Sequence, residues 1–147
     1  MELNYPLGQA TLGQYDPELL TEQQVFDIGA AHLLTQNKKS MIYSDGDEKC
    51  KYNGAGKACC GAAPFIQGYS SEMEGRSYSQ LVYSSQRGSK KFDLTLRHVN
   101  LIQGLQRIHD TELVENWKQR LKTLARENHV SDAILADNSI KRVQKQV

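Results

Sequence analysis

Apolar residues recur with helical spacing in three stretches of this chain. In "TEQQVFDIGAAHLLTQN", Val25, Ile28 and Ala31 or His32 fall on one face, with Phe26, Leu33 and Leu34 beside it. This spacing predicts a helix. Thr21 followed by Gln24 is a capping box that opens it, and "QNKKS" ends it. Gly29 costs this helix up to about 1 kcal/mol relative to alanine, which implies close packing of another backbone against it. Further on, Leu94, His98, Leu101, Leu105 and Ile108 make one amphipathic run, and Val114, Trp117, Leu121 and Leu124 make another. "HDT" separates the two, with Asp110 or Thr111 as the expected N-cap of the second. So short a connection predicts an antiparallel or sharply angled helix pair. Ser77 with Gln80 offers a second capping box, opening a short helix through "YSQLVYSS", and "ENHVSDAILADNS" adds a short turn.

The middle of the chain has a different texture. "SDGDEK" and "NGAG" are turn chemistry, and the short segments "KCKY" and "KACC" on either side of the second read as hairpin arms. Asn53-Gly54 favours the positive φ that hairpin turns require. The expected fold is therefore α+β and mainly helical: three to five helices packed around a small β-hairpin carrying Cys50, Tyr52 and Cys59. Residues 1–20 read as an irregular N-terminal arm, residues 21–137 as a single globular domain, and 138–147 as a basic tail that frays.

Length and charge bound the function. At 147 residues the chain has the length of one domain. With 18 basic and 17 acidic residues, net charge +1, it has no general pull toward nucleic acid or anionic membrane. No segment is long and apolar enough to span a bilayer. "MELNYPLGQATLGQ" lacks the basic start and apolar run of a secretory signal. Three cysteines, an odd number, in such a chain predict free thiols in a reducing, cytoplasmic setting.

"CKYNG", "EGRSYSQL", "GLQRIHD" and "WKQRLKTLARENHVS" follow the helix "VFDIGAAHLLTQNKKS" in that order. Together, from about Thr21 to Ser131, they resemble an uncharacterised family of short bacterial and phage proteins. That family carries a Cys-x-Tyr-x-Gly-x-x-Gly-x-Lys-Cys-Ala segment and a Leu-Gln-x-x-His-Asp helix. The resemblance implies a layout and a phage or bacterial setting, and no activity. Here the family lysine is displaced to Lys57, and its second cysteine corresponds to Cys59 or Cys60.

All three cysteines cluster around the glycine-rich turn, and each chemistry they suggest has a plainer counterpart. A Walker loop needs a glycine five residues before Gly56 and a hydroxyl after Lys57; Lys51 and Ala58 stand there instead. A zinc site would use Cys50, Cys59 and Cys60. Zinc knuckles separate paired thiolates by two to four residues, whereas eight intervene between Cys50 and Cys59. Cysteines packed as small apolar residues account for the same pattern. A cysteine hydrolase or transferase would use Cys59 or Cys60 with His109 as base. In a helix, however, adjacent side chains point about 100° apart, so Asp110 is poorly placed to orient His109. His32 and His98 read as core or boundary residues, and Trp117 as a core anchor. Lys38-Lys39 and the cluster Arg87, Lys90 and Lys91 would suit phosphates in a nucleic-acid binder, but read first as solvated surface.

Seven tyrosines, most of them in the turn-rich middle, suit a recognition surface. The expectation is thus a non-catalytic protein-binding module, using Tyr52, Asn53, Lys57, Tyr69 and Tyr78 on a host or cellular protein. It would need no cofactor, metal or membrane. A cysteine enzyme and a nucleic-acid binder are the alternatives.

Overall fold

The computed structural model describes residues 7–44, 47–54, 59–87 and 92–136, and within 42–50 the backbone alone. Lys57, Lys90, Lys91 and the basic tail lie outside them, as does the side chain of Cys50.

Helix α1 (Glu22–Gln36) begins at the capping box expected for it. The Gln24 amide donates to Thr21 Oγ1 at 3.1 Å, and the Thr21 amide donates to the Gln24 side chain at 2.9 Å. It ends at Asn37 in the left-handed conformation, which asparagine tolerates better than most residues. Val25, Phe26, Ile28, Gly29, Ala30 and His32 are all buried, so α1 is enclosed on most sides rather than on one stripe. It is the central element of the fold. Helices α3 (Val99–Thr111) and α4 (Trp117–Glu127) pack on it, as does the terminal turn Ala133–Ala136. Helix α2 (Tyr78–Ser85) packs on α3 and opens at the Ser77–Gln80 capping box.

Small residues let these elements approach. A Cβ on Gly29 would collide with the Leu105 side chain of α3. The close neighbour is thus a side chain, rather than the backbone the sequence suggested. A Cβ on Gly61 would meet the α3 backbone itself, 2.7 Å from the Leu105 carbonyl carbon and nearer still to its oxygen.

The expected α+β class is overturned. The architecture is helical, and among the described residues no strand ladder flanks Asn53-Gly54 for helices to pack against. Strand pairing among the described residues is confined to a short antiparallel ribbon upstream, β1 (Met41–Ser44) against β2 (Asp47–Cys50), and to one isolated bridge between Asn53 and Cys59. The reason lies in where the backbone donors go. The Tyr52 and Asn53 amides donate to the Glu74 carboxylate, at 2.9 and 3.2 Å, and the Cys59 amide donates to the Gln36 side chain at 3.0 Å. Side chains from distant segments take the bonds that a ladder would have used. Nor does Gly54 adopt a positive φ. It is required for space, because a Cβ there would strike Ser40.

Two further boundaries differ from the sequence pattern. Leu94 and His98 do not belong to α3. Leu94 is held outside the helix by the end of α2, its amide donating to Ser85 Oγ and its carbonyl accepting from Gln86, both at 2.9 Å. His98 is the N-cap residue, at φ 63°, with its ring nitrogen 2.7 Å from the Leu20 carbonyl. Asp110 and Thr111 continue α3 rather than capping α4, which instead follows a 3-10 turn at Val114–Asn116. Trp117 anchors the junction. It is fully buried, donates its indole N–H to the Glu112 carbonyl at 3.2 Å and lies against the His109 ring, centroids 5.7 Å apart.

Residues 7–20 have little regular structure, yet Leu7, Ala10 and Leu20 are buried. This segment is tied down by the Gly13 and Tyr15 amides, which donate to the carbonyls of Ala63 and Pro64.

Candidate functional site

The cleft is built from three segments that sequence distance keeps apart. Residues 51 and 52 form one wall, the turn 74–77 before α2 forms another, and α3 closes the third. They enclose an opening of about 350 Å3, bordered by Lys51, Arg76, Arg107, Glu74 and Asp110, with Tyr52 and Cys60 at its floor.

Hydrogen bonds fix these walls. The Glu74 carboxylate accepts from the Tyr52 and Asn53 amides and, at 2.6 Å, from the Tyr69 hydroxyl. The Tyr52 hydroxyl donates to the Arg76 carbonyl. From α3, Gln106 accepts from the Tyr78 amide at 2.7 Å and Gln103 from the Ser79 amide at 2.8 Å. Those amides belong to the first turn of α2, whose donors have no partner within the helix, so α3 and α2 are fastened through them.

The cysteines face different neighbours. Cys59 is buried, its thiol donating to the Ala10 carbonyl and lying 3.6 Å from His32 Nε2. Burial pushes its pKa up to about 12. Gln36 brackets its backbone, accepting from the Cys59 amide and donating to its carbonyl at 2.9 Å. Cys60, 1% exposed, lies beside Asp110. Burial chiefly, and the Asp110 charge in second place, hold its thiol well above the usual range, against the opposing pull of the Ala62 and Ala63 backbone. Both thiols are thus kept protonated, and the thiolate is the nucleophile and metal ligand.

Both buried histidines are committed at both nitrogens. Nδ1 of His32 accepts from the Ala10 amide at 2.9 Å, so Nε2 carries the proton and donates to the Cys59 carbonyl at 3.0 Å. Nε2 of His109 accepts from the Ser40 amide at 2.7 Å, so Nδ1 carries the proton and donates to Asp110 at 2.6 Å. Asp110 therefore does orient His109, against the expectation from helical geometry: the pair sits in the last turn of α3, where the carboxylate folds back onto its neighbour. As placed, His109 has no nitrogen left to take a thiol proton. Among the described residues no group of three or more His, Cys, Asp and Glu side chains converges as a metal site would.

The expected partner-binding residues divide. Tyr52 and Tyr78 are interior, at 3% and 0% exposed, Tyr69 is half-buried, and Asn53 is exposed. The cleft residues that the sequence reading passed over are Lys51, Glu74, Arg76, Gln103, Gln106 and Arg107. A signal for some of them existed: Glu74 and Arg76 stand in "EGRSYSQL", and Gln106, Arg107 and Asp110 in "GLQRIHD". Those segments and "CKYNG" are the ones the cleft brings together. Comparison with protein-family models, curated proteins and solved structures gives no match for this chain.

Proposed function

We propose that this chain is a non-catalytic protein-binding module that receives a segment of a partner protein in the cleft between residues 51 and 52, the 74–77 turn and α3. The observation that carries this reading is the bracing of the cleft. Glu74, Gln103 and Gln106 spend their side chains holding its walls, while Lys51, Arg76 and Arg107 border the opening. A pre-organised opening loses little entropy on binding. Its volume is at the small end of ligand sites, roughly 300–1,000 Å3, which suits one or two side chains of a larger partner. The setting implied by the resemblance, a phage or mobile-element protein acting on a host protein in the cytoplasm, belongs to the same proposal. No helix among the described residues is long and apolar enough to cross a membrane.

The test uses immobilised full-length protein and host extract. A discrete, saturable partner is expected, and its capture should survive native-state treatment with iodoacetamide at pH 8, because Cys59 and Cys60 are buried and protonated. Rapid alkylation of either thiol with loss of function would transfer the assignment to a cysteine enzyme, since a reactive thiol labels well below its ordinary pKa of about 8.5. Asn53→Ala is the informative substitution at the expected surface. Tyr52→Ala would confound binding with folding, because that ring is buried.

A further inference from the structure

A second opening lies on the outer face of α2, bordered by Arg76, Tyr83 and Arg87 together with the polar side chains Ser79, Gln80 and Ser84. Arg76 borders both this opening and the cleft, so the two form one continuous surface. Its cations, Lys51, Arg76, Arg87 and Arg107, make no ion pair with any described residue. The Arg76 guanidinium lies 5.8 Å from the Phe92 ring centroid, within reach of a cation–π contact. Tyr83 is 52% exposed between the arginines.

The carboxylates on the same surface are already engaged, Glu74 by three donors and Asp110 by His109. We infer that the segment this surface recognises is an acidic peptide: its carboxylates pair with Arg76 and Arg107 at the cleft and with Arg87 beyond it, and an apolar side chain packs on Tyr83. This rests on the binding-module reading above and names its partner class. Arginine matches a carboxylate through two parallel N–H···O bonds, and arginine and tyrosine are the residue types that carry most interface energy. A nucleic-acid strand fits less well. Four cations are few beside the roughly 6–10 phosphate contacts that make such binding tight.

The experiment is fluorescence anisotropy on the full chain with a short labelled peptide of alternating Glu and Leu, a Lys-Leu counterpart and a labelled oligothymidylate. The acidic peptide should bind, the basic one should not, and raised salt should weaken the complex. Arg76→Glu, Arg107→Glu and Tyr83→Ala should each weaken binding about tenfold or more, a change of ~1.4 kcal/mol. All three residues are exposed, so melting should stay near that of the parent. Failure of the acidic peptide to bind, or binding indifferent to both charge reversals, overturns the inference. Tighter binding of oligothymidylate, lost with the same reversals, overturns it in favour of nucleic acid. In the extract experiment, a partner still captured by the Arg76→Glu, Arg107→Glu double variant sinks the acidic-segment inference and leaves the module standing. Capture of nothing by the parent protein sinks the module.

Discussion

His32 owes its neutral form to its surroundings. Burial lowers its pKa from the ordinary 6.5 to about 4, the Cys59 carbonyl opposes this, and His109 adds a smaller push in the same direction as burial. The sign of the pH dependence follows. Between pH 6.5 and 4 the unfolded chain binds a proton at this position that the folded chain does not. The stability is therefore complete above pH 6.5 and is lost as pH falls toward 4. A difference of this size amounts to about 3 kcal/mol at ~1.4 kcal/mol per pH unit. Urea unfolding at pH 7 and pH 4.5 should show the loss, and His32→Gln should flatten the profile; equal stability at both pH values in the parent would refute it. Asp27, whose pKa burial raises from the ordinary 3.8, acts in the opposite sense, adding stability as pH falls toward 3.8. The same scale contains an unused polar group. The Tyr78 hydroxyl is buried with no hydrogen-bond partner among the described residues. Tyr78→Phe should therefore leave the melting temperature unchanged or slightly raised, since it removes a desolvated group without breaking a bond. A clear fall would reveal a partner for that hydroxyl.

At the scale of elements, the helices are held less by their own stripes than by what crosses between them. Gly61 is the tightest such point, because the α3 backbone at Leu105 occupies the space a Cβ would need. Backbone cannot rotate away, whereas the Leu105 side chain facing Gly29 can. Gly61→Ala should therefore cost about 3 kcal/mol, the upper end for overpacking. Gly29→Ala should cost less, part of its strain being offset by the ~1 kcal/mol that alanine gains over glycine in a helix. Denaturant midpoints measured side by side decide the order, and a reversed order would mean that the 59–62 segment sits farther from α3. Gln103 and Gln106 add a second kind of crossing, supplying from α3 the acceptors that the first turn of α2 lacks.

For the whole molecule, Trp117 is where α3, α4 and their connection meet. Removing a fully buried indole typically costs about 3–5 kcal/mol, a large part of a domain stability of ~5–15 kcal/mol. Trp117→Ala should lower the melting temperature by roughly 10 °C or more for a chain of this size. An unchanged melt would show that the ring carries no packing load. The cleft also exists only at this scale, since residues 51–53, 74–77 and 103–111 are neighbours through the packing of α2 and α3 and through Glu74.

The sequence by itself determined whatever is encoded within a few residues. The Thr21–Gln24 and Ser77–Gln80 boxes are reciprocal bonds between a residue and the one three places on, so they place the starts of α1 and α2 wherever the rest of the chain goes. The Trp117, Leu121 and Leu124 stripe is local in the same way. Only the tertiary structure decided the positions at which distant groups outbid local preference. Asn53-Gly54 looks like a hairpin turn, but Gln36 and Glu74, from elsewhere in the chain, take the amides of Cys59, Tyr52 and Asn53. Leu94 and His98 continue a helical spacing, but Ser85, Gln86 and the Leu20 carbonyl hold them outside α3. Tyr52 and Tyr78 match the composition of a recognition surface and are interior, while Arg76 and Tyr83 look ordinary in sequence and border the openings. Each of these outcomes turns on bonds or burial contributed by segments distant in sequence, and no local periodicity records such partners.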